Sequence, residues 1–117
     1  MRIRFEKSKL QKLIEDKQSL AKKHGVDFSK KLLKRLNELK AFKDVGELMQ
    51  SGLDSPHFLS GELKNCIAWD IDANKRLILG IGILPHQTLD ADYIYLDEII
   101  FKGVVDYHGS KENWYIS

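Results

Sequence analysis

The chain of 117 residues has one cysteine, Cys66, and two prolines. A single thiol cannot close an internal disulfide, which points to a reducing, cytoplasmic setting. No apolar run approaches the ~20 residues that a membrane-spanning helix needs. The opening residues include Arg2, Arg4, Glu6, Lys7 and Lys9, which interrupt the apolar stretch of a secretion signal. Cys66 and four scattered histidines (24, 57, 86 and 108) lack metal-ligand spacing. There is no glycine-rich phosphate loop, internal repeat or low-complexity segment. These absences argue against a disulfide scaffold, a membrane protein, a zinc module and a P-loop enzyme. The expectation is a chain with no metal, cofactor or membrane partner.

What is present suits one globular domain over 1–117. Hydrophobic residues make up 43% and charged residues 31%, a balance that supports a packed core rather than disorder. The net charge of +2 hides a segregation. Residues 1–50 hold 14 Lys/Arg against 7 Asp/Glu, and residues 51–117 hold 5 against 10. A basic first half can steer toward phosphates or an acidic partner, or simply supply the solvated faces of helices.

Met1, Ile3 and Phe5 alternate with Arg2, Arg4 and Glu6, the period of a half-buried strand. Ser8 and Gln11 have the spacing of a capping box. Leu10, Leu13, Ile14, Leu20 and Ala21 then predict one amphipathic helix that stops at Gly25. A second begins near Asp27 or Ser29, with Phe28, Leu32, Leu33, Leu36 and Leu39 inward and Lys30, Lys31, Lys34 and Arg35 outward. Together they read as an αα-hairpin, with another helical turn over Val45 to Gln50. Strand character follows. Ile67, Trp69 and Ile71 alternate with polar or small residues, Asp72-Ala73-Asn74 has turn chemistry, and Arg76 to Ile81 resumes the alternation. A connection containing Pro85 leads to a last strand from Glu98 or Ile99 to about Tyr107. The order predicts an α+β fold in which the helices cover one face of a small, mostly antiparallel sheet and leave the other face open for a site.

The polar residues near the sheet ends are His57, Lys64, Arg76 and Asp106-Tyr107-His108. Alternation puts Asp106 and His108 on one face and Tyr107 on the other. A carboxylate beside an imidazole can fix its tautomer and raise its pKa, which suits proton transfer. Arg76 can fork onto two phosphate oxygens, or it can pair with Asp70 or Asp72 across the hairpin. Trp69 and Cys66 belong in or beside the core.

The run Leu96-Asp97-Glu98-Ile99-Ile100-Phe101-Lys102-Gly103-Val104-Val105-Asp106-Tyr107-His108-Gly109 resembles the closing strand of HigB-type killer toxins in the RelE/ParE superfamily. Ser55-Pro56-His57-Phe58-Leu59-Ser60-Gly61 resembles that family's Pro-His-Pro-Leu-x-Gly loop, and Lys75-Arg76-Leu77-Ile78-Leu79 its Arg-Leu-Ile-Phe strand. The three motifs occur in family order, and the likeness spans nearly the whole chain. It implies a toxin of a type II toxin–antitoxin system that cuts mRNA on the ribosome without a metal and so arrests translation. The partners it implies are a cognate antitoxin, the ribosome and mRNA, with operator DNA reached only through the antitoxin. It also implies that His108 and His57 exchange protons with substrate, that Asp106 orients His108, that Arg76 meets the phosphate, and that Tyr107 stacks a base or donates a hydrogen bond. Lys30, Lys31, Lys34 and Arg35 would contact RNA phosphates. The family's loop lysine is missing at Ser60, and Lys64 is the residue that could replace it. Two other readings of the same fold stay open: a ParE-like DNA gyrase poison, and a catalytically inactive, antitoxin-bound co-repressor.

Overall fold

The computed structural model describes residues 1–52, 54–108 and 111–117, with the backbone alone at His108, Lys111 and Glu112. The N-terminal alternation forms β1 (Arg2–Phe5). The helical half divides into α1 (Ser8–Glu15), α2 (Lys17–His24), α3 (Val26–Ala41) and α4 (Val45–Gln50). The apolar stripe predicts one helix as far as Gly25, but Asp16 breaks it. Asp16 leaves helical geometry (φ −104°, ψ 88°), and its side chain accepts a bond from the Ser19 N–H at 3.0 Å, capping α2. The Ser8–Gln11 capping box does not form: Ser8 already lies inside α1, and Gln11 donates to Glu15 instead. Gly25, at φ +88°, makes the sharp turn from α2 into α3.

The strands that follow are β2 (His57–Phe58), β3 (Ile67–Asp70), β4 (Lys75–Gly80), β5 (Glu98–His108) and β6 (Lys111–Ile116). Sheet order runs β2-β3-β4-β5 with antiparallel neighbours. The far edge of β5 is shared: β1 pairs in parallel with Glu98–Phe101, and β6 pairs antiparallel with Val104–His108. The result is an α+β fold on a mixed sheet. Two of its strands lie outside the sequence expectation. β2 is too short to show a period, and β6 follows the strand read as the last.

Leu10, Leu20, Leu32, Leu36, Leu39, Val45 and Leu48 pack from the helices onto Ile67, Trp69, Leu77, Leu79, Ile99, Phe101 and Val104. Burying each such aliphatic side chain contributes about 1.5–3 kcal/mol. The second sheet face is not bare. Leu59 and Leu63 pack with Tyr107 over Cys66, Ala68, Ile78 and Val105, which makes a smaller apolar cluster there. Buried Asn65 donates from Nδ2 to the carbonyls of Leu84 and Gln87, both at 2.9 Å, and so ties the long connection before β5 to the sheet. Among the described residues, no helix is long and apolar enough to cross a membrane.

A bulge in β5 decides which residues reach the second face. Leu79 lies opposite Phe101, but its neighbour Ile78 lies opposite Gly103, so Lys102 is an extra residue. Gly103 takes φ +142°, and a Cβ there would lie 2.1 Å from the Ile116 carbonyl oxygen. Only glycine fits. Beyond the bulge the side-chain phase inverts, because a one-residue slip exchanges the two faces. Val104 therefore joins the helical core, while Val105 and Tyr107 turn to the second face.

Candidate functional site

One cross-strand row on the second face collects charged and aromatic residues. Asp70 of β3 lies opposite Arg76 of β4, Arg76 opposite Val105 of β5, and Val105 opposite Trp114 of β6. Directly opposed residues on neighbouring strands project to the same side. Arg76 Nε meets Asp70 Oδ1 at 2.8 Å, and its guanidinium carbon sits 4.2 Å from the centre of the Tyr107 ring. Arg76 and Asp70 each keep about a third of their side-chain surface exposed (32%), so the pair is oriented without being sealed from a ligand. Cation–π contact contributes about 0.5–2 kcal/mol and holds the guanidinium over the ring.

His57 joins this face through β2, where it lies opposite Ala68, diagonal to Asp70. Diagonal neighbours on adjacent strands are roughly 7–8 Å apart. The loop before it is sharply shaped: Asp54 and Ser55 both have φ of 55°. The His57 Nδ1–H donates to the Ser55 carbonyl at 2.9 Å. A carbonyl can only accept, so Nδ1 carries a proton, and in the neutral ring Nε2 is the nitrogen with the lone pair. That tautomer can receive a proton.

Arg35 departs from the sequence expectation. It does not face outward toward RNA, since only 14% of its side chain is exposed. It pairs with Glu38 at 2.9 Å and with Asp54, and it lies 5.1 Å from the centre of a Trp69 ring. A residue on the flank of the α3 stripe, with a long apolar stem, can lie over a core aromatic while its charged end meets carboxylates. Arg35 thus anchors the loop whose Ser55 carbonyl holds His57.

Asp106 also departs from the expected arrangement. The bulge turns it toward the helix-covered side, opposite Lys75, where its Oδ1 is buried. It does not share a face with Arg76, and Asp70 is the carboxylate that does. His108 ends β5, and its side chain lies outside the described residues, as does Gly109 of the same motif. Tyr107 does reach the second face, but one side of its ring is occupied by Arg76, which leaves less of it for a base. Lys64 is exposed just after the turn Gly61–Leu63 that flanks this face. Lys30, Lys31 and Lys34 are exposed on α3. Lys30 and Lys34 lie nearly opposite the helix's buried stripe, so they point away from the sheet and its Arg76 cluster. Cys66 is no nucleophile: burial pushes its thiol pKa up, Lys102 opposes that and Glu6 adds to it.

Sequence reasoning missed Trp114 altogether and met Asp70 only as a neutralising partner for Arg76. The hairpin spacing of 70 and 76 around a turn was the legible signal for the second. No family model, curated protein or solved structure matches the chain, so its function has to be read from this cluster.

Proposed function

We propose that the chain is a HigB-like toxin of the RelE/ParE superfamily, an endoribonuclease that cuts mRNA on the ribosome and is held in check by a cognate antitoxin. The observation that carries this reading is the Arg76 guanidinium, braced by Asp70 and Tyr107 on the face that also bears His57. Asp70 is met through Nε, so the two terminal nitrogens are the ones that meet non-bridging phosphate oxygens as a fork.

RNA supplies its own nucleophile. His57 Nε2 takes the proton from a ribose 2′-hydroxyl, and the oxygen attacks the adjacent phosphorus. The bond from phosphorus to the 5′-oxygen then breaks, and that oxygen takes a proton. The products are a 2′,3′-cyclic phosphate and a 5′-hydroxyl. Arg76 offsets the negative charge that builds on the phosphorus oxygens, which matters most at the transition state. The family likeness gives proton transfer to His108 as well, as base or acid; in this scheme solvent water protonates the leaving oxygen and is restored by the proton held on His57. Asp106, on the opposite side of the strand, has no part in this scheme.

Primer-extension mapping of a defined transcript in a translation mixture of purified ribosomes tests the proposal. The wild-type chain is expected to produce discrete cuts. Arg76→Lys, which keeps the charge but loses the fork, is expected to lower the cleavage rate by about 10²–10³-fold while melting close to the wild type. Intact transcripts with the wild-type chain, alongside inhibited gyrase supercoiling, would replace the nuclease with a gyrase poison.

A further inference from the structure

The row that holds Arg76 ends at a residue the proposed chemistry does not use. Trp114 is on the edge strand β6, opposite Val105 and on the same face as Arg76. It is 47% exposed, although indole is among the largest apolar surfaces a chain can bury. Trp69, by contrast, is wholly buried. Trp114 forms one wall of a cleft of about 320 Å³, with Leu63 and Val105 apolar and Ser60, Glu62 and Asn113 polar around it. That volume is at the low end of the roughly 300–1,000 Å³ of small-ligand clefts, suited to a single flat ring rather than an extended segment.

We propose that this cleft is a nucleobase subsite in which Trp114 stacks a base of single-stranded RNA next to the phosphate held by Arg76. Three observations converge on that occupant. The cleft offers an aromatic face and apolar walls, which grip a base whatever its identity. Arg76 is the next charged group along the same cross-strand row, so a strand whose phosphate meets Arg76 has its neighbouring base directed toward Val105 and Trp114. The rim carries a carboxylate, Glu62, which accepts from an exocyclic amino group and has nothing to offer a carbonyl edge. Ser60 and Asn113 on the same rim can donate to base carbonyls, so the cleft offers partners to both kinds of base-edge group.

The choice of an RNA base as occupant rests on the nuclease reading, and the test separates the two. The full chain is titrated with a short unstructured oligoribonucleotide at low salt, following tryptophan emission and the anisotropy of a labelled copy. Quenching of the wild-type chain is expected. Trp114→Phe, which keeps an aromatic face, should retain most of the affinity and lose the quenching, because the remaining indole of Trp69 is buried. Trp114→Leu should bind roughly 5- to 150-fold more weakly, the loss expected for one stacked base. Absence of quenching in the wild type, or equal affinity of Trp114→Leu and wild type with matching melting curves, overturns the subsite. The nuclease reading then stands or falls on transcript cleavage alone. Quenching and stacking by a chain that cuts no transcript would keep the subsite and remove the nuclease.

Discussion

At the scale of single residues, His24 shows how burial turns a side chain into a pH-dependent contact. Its ring packs 4.9 Å from Tyr115 and 6.1 Å from Phe28, and the Lys75 ammonium lies 5.0 Å from the Tyr115 ring centre. Burial, and then the charge of neighbouring Lys23, hold its pKa below the ordinary 6.5. The unfolded chain thus binds the proton first as pH falls. Stability is complete above the unfolded value and declines as pH drops through about 6.5 toward the folded value. Thermal melts between pH 7.5 and 5.5 should show the midpoint falling with acid, and His24→Gln should flatten that fall. An unchanged slope in the variant would assign the effect to other groups. Arg35 carries a different lesson. A basic residue on a helix written in lysines looks like part of a charged face, yet Asp54, Glu38 and Trp69 claim it.

At the scale of elements, the β5 bulge governs the site. Without the extra residue, Val105 and Tyr107 would continue the phase of Ile99 and Phe101 into the helical core, and Asp106 would face outward. With it, Arg76 gains Tyr107 as a backing surface and Asp106 is removed. Gly103 makes the bulge possible. Gly103→Ala should destabilise the fold by about 3 kcal/mol or more, since strain at positive φ adds to a collision with the Ile116 carbonyl. Urea denaturation measures the loss, and amide exchange should show Tyr115 and Ile116 opening first, because β6 is the strand pushed away. Uniform protection in a chain of wild-type stability would mean that the bulge tolerates a side chain.

At the scale of the whole molecule, charge segregation along the sequence becomes segregation in space. The basic first half forms β1 and the helices, and the helices cover one sheet face; the acidic second half forms most of the sheet. The exposed lysines at 30 and 34 therefore face away from the Arg76 cluster. On the proposed reading, they would steer the chain to ribosomal RNA without touching the scissile strand. Replacing both Lys30 and Lys34 with Glu should weaken ribosome association and reduce the slope of log affinity against log salt by about one for every phosphate the variant fails to neutralise. Cleavage at saturating protein should stay within about threefold of wild type if these lysines bind substrate and transition state alike. A salt response identical to the wild type would exclude this face from binding.

The fold class was legible in the sequence because it follows from periods: 3.6 in the leucine stripe of 28–39, two in 67–71 and 76–81, with a turn between them that Asp72 closes by accepting from the Asn74 and Lys75 N–H groups. The pairing of Arg76 across the hairpin was legible too, with Asp70 the one of two candidate partners that the register selects. What alternation could not foresee was a change of phase. One extra residue at Lys102 exchanged Asp106 for Val105 and Tyr107 on the face that matters, and β6, hidden in a tail without strong pattern, brought Trp114 into the same row. Local periodicity records which side of its own element a residue takes. Only pairing between strands distant in sequence decides which side of the molecule that becomes.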